Sequence, residues 1–328
     1  MINFKRKILK IFGWTAFPAL FLLLVLFVLN SFVTVNSLST SFISSFLNSN
    51  TTIICVSIGV SVVIISGGID ISMGSLLSLC NVLLVILIRN GMNYLLAITI
   101  TLVVATAGGF LNGIVIAYMR VPALLTTFAT ATVFAGIALI IMPVPGSGIP
   151  QELTKFYYSK PLGIPMTILF ILIPYIIWKL FKNTPNGIKI YAIGANQSRA
   201  FVSGIGVEKT KIFAYSFAGF STGMGALAIT FMVGGGDPLI GSRVVMTAIS
   251  AAVIGGVSLS GGKGDITGGI LGALFLGLMT NLVVSAKFDT FTQDFLSALI
   301  LLCSIVIAAA VGNKRNFSKG VIKHGSTD

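Results

Sequence analysis

The stretch TTIICVSIGVSVVIISGGIDISMG, residues 51–74, carries no charged side chain until Asp70, and its apolar run breaks at Gly67-Gly68. An α-helix needs about 20 predominantly apolar residues to cross a hydrocarbon core about 30 Å thick. Backbone groups in lipid must find their hydrogen-bond partners within the segment, so this run predicts a spanning helix over 48–66. A carboxylate close to membrane depth is costly unless it reaches solvent or a partner. Asp70 therefore marks either a functional group or a hydrogen-bond acceptor at the start of the next helix.

The rest of the chain repeats the pattern. Of 328 residues, 55% are hydrophobic and 9% charged, and the mean hydropathy is +1.03. Soluble domains carry about 25% charged residues. The expected fold is one all-α polytopic membrane domain with about ten transmembrane helices. They are expected near 11–30, 48–66, 71–88, 93–119, 122–142, 162–181, 211–233, 243–258, 266–286 and 293–312. The first apolar run, Phe17 to Leu29, follows Lys5, Arg6, Lys7 and Lys10 but has no small-x-small cleavage site after it, and is read as a retained helix.

A net charge of +13 could suggest nucleic acid, but most lysines and arginines fall in short connections and at the two ends. With the amino terminus inside, Arg120, the 182–211 connection, Lys263 and the basic carboxyl tail share the inner face. Only Arg89, Lys155, Lys160, Arg243 and Lys287 are left outside. That asymmetry is an orientation signal and places both termini in the cytoplasm; no nucleic-acid partner is expected.

The outer connections at 31–47 and 143–161 are expected to be polar loops; the second, with Pro143, Pro145, Gly146, Gly148 and Pro150, suits a connector or a docking surface. In the inner connection, Thr184-Pro185-Asn186-Gly187 reads as a turn, and a short helix is expected between Gly194 and Gly204.

Glycines one helical turn apart, Gly109/Gly113, Gly219/Gly223, Gly264/Gly268 and Gly268/Gly272, predict faces where another backbone approaches closely. A second glycine cluster, from Gly255 to Asp265, resembles the first. It aligns Gly67 with Gly255, Gly68 with Gly256, Ser72 with Ser260 and Gly74 with Gly262, with Asp70 opposite Ser258. Both clusters are candidate loops or hinges, or broken helices exposing backbone to a solute. Asn112, Thr126, Thr127, Thr130 and Asn281 are the candidate path-lining groups, because a neutral polar solute needs hydrogen bonds without tight holding; helix-to-helix bonding is the alternative role for each.

Catalytic chemistry has little to stand on. Cys55, Cys80 and Cys303 lie in apolar runs without metal-ligand spacing, and His324 stands alone in a polar tail. Gly262-Lys263 is followed by Gly264 rather than Ser or Thr, so it is no phosphate loop. The chain is expected to be a non-enzyme with no catalytic, cofactor or metal site of its own.

Four ordered motifs carry a family resemblance: Gly67-Gly68-Ile69-Asp70-Ile71-Ser72, Tyr191 to Asn196, Ser203 to Val207, and Ala251 to Gly262. Over roughly 48–312 the chain resembles bacterial ABC importer permeases for ribose and related sugars, whose relatives handle autoinducer-2 and nucleosides. The resemblance implies a second permease subunit, identical or homologous, an extracytoplasmic solute-binding protein, and a separate cytoplasmic ABC ATPase that binds the ATP and Mg. It also implies ATPase contact by Asn196, Arg199, Ala200, Gly204, Ile205 and Val207, and a location in the bacterial inner membrane. Departures from the family pattern fall at Ile71 and Met73, at Asn186-Gly187-Ile188 and at Arg199-Ala200-Phe201. An ion- or proton-coupled carrier working alone is the alternative, since broken helices and an intramembrane carboxylate suit it.

Overall fold

The computed structural model of the protein describes residues 16–33 and 39–286, with residues 292, 295, 299 and 302. Apart from these isolated positions, the expected last span at 293–312 lies outside the described residues, as do Cys303 and His324. The elements are α1 (Phe17–Val33), α2 (Thr40–Ile65), α3 (Met73–Arg89), α4 (Tyr94–Ala117), α5 (Ala123–Ile141), β1 (Gly146–Gly148) and α6 (Gln151–Tyr158). A 3-10 turn at Pro161–Gly163 precedes α7 (Thr167–Lys182), α8 (Pro185–Ala195), α9 (Gln197–Val202), α10 (Val207–Val233), β2 (Gly235–Gly236), α11 (Val244–Ile254) and α12 (Ile266–Ser285). Among the described residues the architecture is that of an all-α polytopic membrane protein, with only the short β1 and β2 as strands. Among the described residues, α2, α4, α5, α10 and α12 are long and apolar enough to cross a bilayer; α7 and α8 would make a sixth span, bent by 86°.

Helix α2 is the buried centre, and α10 packs along both it and α4. At 26 residues it is about 39 Å long, and it begins well inside the region expected to be a loop up to residue 47. Ser39 caps it by accepting from the Phe42 nitrogen. The polar side chains are absorbed by the helix: Ser44, within the expected loop, and Asn50 and Thr51, within the expected span, each donate to the carbonyl one turn back. Side chains satisfied in this way do not stop a helix.

Helices associate in lipid by close packing rather than by burial from water. A Cβ on Gly109 would strike the Tyr215 carbonyl and lie 3.1 Å from the Gly219 Cα, so α4 and α10 touch backbone to backbone. Gly268 and Gly272 similarly face Gly255 and Ala251, joining α12 to α11. Gly264 precedes α12, so the expected Gly264/Gly268 pair is not a helical face.

The 143–161 connection is bound to the bundle. β1 pairs antiparallel with β2, Gly146 opposite Gly236. The buried Tyr157 hydroxyl donates to the Asn48 carbonyl at 2.7 Å. Two buried side chains of α3 hold the segment after β2. Asn81 donates to Thr230 Oγ1 (2.7 Å) and the Gly235 carbonyl (3.1 Å) and accepts from the Asp237 nitrogen (2.8 Å). Ser78 Oγ accepts from the Gly241 nitrogen at 2.9 Å.

Candidate functional site

Both glycine clusters end a helix in the same way. After α2, the Gly67 nitrogen donates to the Ile64 carbonyl (2.9 Å) and the Gly68 nitrogen to Val63 (3.0 Å), with Gly67 at φ 83°. After α11, the Gly256 nitrogen donates to Val253 (2.9 Å) and the Val257 nitrogen to Ala252 (3.0 Å), with Gly256 at φ 82°. Each is a Schellman end, which requires a left-handed residue and therefore favours glycine. The equivalent residues are thus Gly67 and Gly256, one position off the pairing of Gly67 with Gly255 expected from sequence. The pairing of Ser72 with Ser260 also fails. Ser72 directly precedes α3, whereas Ser260 is exposed in a longer turn closed by the Ser258 nitrogen donating to the Lys263 carbonyl.

The first break holds a buried polar cluster. Asp70 Oδ1 accepts from the Ser72 nitrogen (2.8 Å) and Ser72 Oγ (2.6 Å). Asn112 Nδ2 reaches across from α4, 2.8 Å from Ser72 Oγ and 3.4 Å from Asp70 Oδ2. Of the two roles open to Asp70, the geometry shows the acceptor at a helix start. Asn112 Oδ1 is buried without a protein partner. Beside this break, a cavity of about 600 Å³ lies between Gly67-Gly68, Arg120, Gln197, Lys211 and Tyr215.

The other candidate path residues do not join this cluster. Thr127 and Thr130 hydroxyls donate to carbonyls of their own helix, α5, while Thr126 Oγ1 is buried without a partner. Asn281 accepts from Asn30 at 3.2 Å, tying α12 to α1. Cys55 and Cys80 are buried thiols.

The expected turn at Thr184–Gly187 is a helix start. Pro185 occupies the first position of α8, where its missing donor costs nothing, and Thr184 Oγ1 accepts from the Gly187 nitrogen. Gly194 lies inside α8 rather than bounding a helix; Gly204, at φ 79°, does end α9 as expected. Asn196 terminates α8 and caps α9 by accepting from the Arg199 nitrogen at 2.9 Å. The expected ATPase-facing set divides: Asn196, Arg199 and Gly204 are exposed, Ile205 is half-buried, and Ala200 and Val207 pack inward on Ile193. The inward pair supports the surface from behind.

Helix α8 runs into both breaks. A Cβ on Gly194 would overlap the Ile65 carbonyl and approach the Gly262 nitrogen to 2.6 Å, and one on Gly261 would lie 2.9 Å from the Gly67 Cα. The Gly262 nitrogen donates to the Ile65 carbonyl at 2.8 Å, joining break to break. Beside this junction, Asp265 Oδ2 takes Lys179 at 3.0 Å and Lys182 at 2.8 Å. Burial alone would raise the Asp265 carboxyl, but the two ammonium groups outweigh it and hold the group below the ordinary carboxylate range. The Tyr191 hydroxyl donates to the Gly264 carbonyl, and burial together with the Asp265 charge pushes that phenol up. Sequence reading had no signal for this ion cluster, because the lysines and the carboxylate are far apart in the chain.

A family profile described as "Branched-chain amino acid transport system / permease component" matches residues 42–305. The chain belongs to that permease family. It is 32% identical over 256 residues to the ribose import permease protein RbsC of Bacillus subtilis, covering 77% of this chain and 80% of that protein. It is also 32% identical over 291 residues to the autoinducer 2 import system permease protein LsrC of Escherichia coli O157:H7, covering 88% and 85%. No solved structure matches. Membership makes the chain a transporter permease of the ribose type found in ABC import systems. All four motifs that carry the resemblance fall inside the matched span, and three of them supply the backbones that meet at Gly67, Gly194 and Gly261.

Proposed function

We propose that the chain is the permease subunit of an ATP-binding-cassette importer in a bacterial cytoplasmic membrane, moving a small polar solute, a monosaccharide or a related compound. A separate ATPase binds the ATP and Mg and contacts the 182–211 region; a solute-binding protein delivers cargo from outside; a second permease subunit completes the pore; both termini are cytoplasmic. The observation that carries this reading is the similarity to import permeases over 77–88% of the chain. The site agrees with it. Beside the break, the cavity lined in part by Ser66, Gln197 and Tyr215 offers hydrogen bonds to a polar solute, while the buried Asp70–Ser72–Asn112 cluster fixes the start of α3. The exposed Asn196, Arg199 and Gly204 lie on and at the ends of α9, which Asn196 joins directly to α8.

The test is reconstitution with the neighbouring ATPase and binding protein, assayed against a panel of sugars and nucleosides. ATP-dependent uptake of at least one compound is expected. Arg199→Glu should leave membrane insertion intact while weakening ATPase association. Uptake driven by an ion gradient with no ATPase present would overturn the proposal.

A further inference from the structure

We infer that the backbone contact among Gly67, Gly194 and Gly261 is a positioning joint that makes α8 set both helix breaks at once. The inference rests on the ATP-driven reading above and adds the residues that would carry motion into the membrane. Helix α8 enters between the two breaks, with Gly194 against Ile65 and Gly67 on one side and against Gly261 and Gly262 on the other. No side chain separates these backbones, so no rotamer change can absorb a displacement of α8; close-packed contacts transmit it. The Gly262 nitrogen bound to the Ile65 carbonyl couples the breaks directly.

Two further ties make α8 move as a unit with its surroundings. Tyr191 donates to the Gly264 carbonyl, and Lys182, just before α8, holds Asp265 at the start of α12. At the other end Asn196 is shared between α8 and α9, so a load on the exposed surface of α9 reaches α8 without an intervening loop. The first break leads to the Asp70–Ser72–Asn112 cluster and the second to α12. One displacement therefore reaches the polar cluster and the α11–α12 pair together, through contiguous packed contacts of the kind that carry coupling between distant sites.

The experiment measures ATPase association, ATP hydrolysis and solute uptake in the reconstituted complex for wild type, Gly194→Ala and Gly136→Ala. A Cβ at Gly136 meets nothing within 4 Å, so that variant should match wild type. Gly194→Ala should retain association and hydrolysis within about twofold while uptake per ATP falls about tenfold. A merely structural defect would lower uptake and hydrolysis together and leave their ratio unchanged. If Gly194→Ala does not insert, Gly262→Ala, whose Cβ would sit 2.7 Å from the Ala195 Cα, decides by the same ratio. A wild-type ratio in an inserted variant overturns the joint and leaves the proposed function standing. Absence of ATP-dependent uptake by wild type overturns both.

Discussion

Replacing Asp265 with asparagine is expected to destabilise the protein by about 2 kcal/mol at pH 7. The carboxylate side chain is 12% exposed and its two lysine partners are 36% and 28% exposed. Fully exposed pairs contribute up to about 1 kcal/mol, whereas removing one member of a fully buried pair costs about 3–5 kcal/mol; this cluster lies between those limits. Both lysines bind the same oxygen, Oδ2, so either can serve when the other is lost. Lys179→Ala and Lys182→Ala should each cost about 0.5–1 kcal/mol. The double variant leaves a buried carboxylate unpaired and should exceed their sum by about 1 kcal/mol. The sign with pH follows from the lowered carboxyl. The unfolded group titrates near pH 3.9, so its contribution is complete above that range and disappears as pH falls through the folded value. Thermal unfolding in detergent at pH 7 and at stepwise lower pH measures both effects, with the gap between wild type and Asp265→Asn closing in acid. Strict additivity of the two lysine variants, or a gap that persists unchanged in acid, would refute the shared-oxygen argument.

Gly219→Ala should cost about 1–3 kcal/mol by overpacking, because its Cβ would overlap the Ala105 carbonyl and force α4 from α10; unfolding midpoints of the purified protein check it, with Gly136→Ala as the neutral reference. Asn81→Ala should cost about 2–3 kcal/mol, since it leaves the Asp237 nitrogen and Thr230 hydroxyl without their α3 partner; faster proteolysis between residues 234 and 243 should accompany the loss of stability.

Membrane class, helical architecture and the positions of most breaks were legible because they depend on local composition. An uninterrupted apolar run must satisfy its own backbone, whatever surrounds it. Gly67 was legible for a similarly local reason, since a left-handed helix end excludes most other residues. The errors arose where local signals have two solutions. Ser44 lay in the expected loop, yet it bonds within α2. Thr184-Pro185-Asn186-Gly187 has turn chemistry, yet Thr184 and Pro185 are also what a helix start requires. The one-position error between the glycine clusters came from aligning residue types when the shared feature is a backbone conformation.

By itself the sequence determined that the chain spans a membrane as helices, where glycine permits close approach, and which motifs resemble an import permease. Tertiary structure alone decided which glycine meets which. Gly67, Gly194 and Gly261 carry no side chain, and so no complementary chemistry by which one could be matched to another; only the packed path of α2, α8 and the α11–α12 turn brings them together. The same holds for Asp265, Lys179 and Lys182. A charge states its sign in sequence, but its partner is chosen by distance, and distance exists only after the fold.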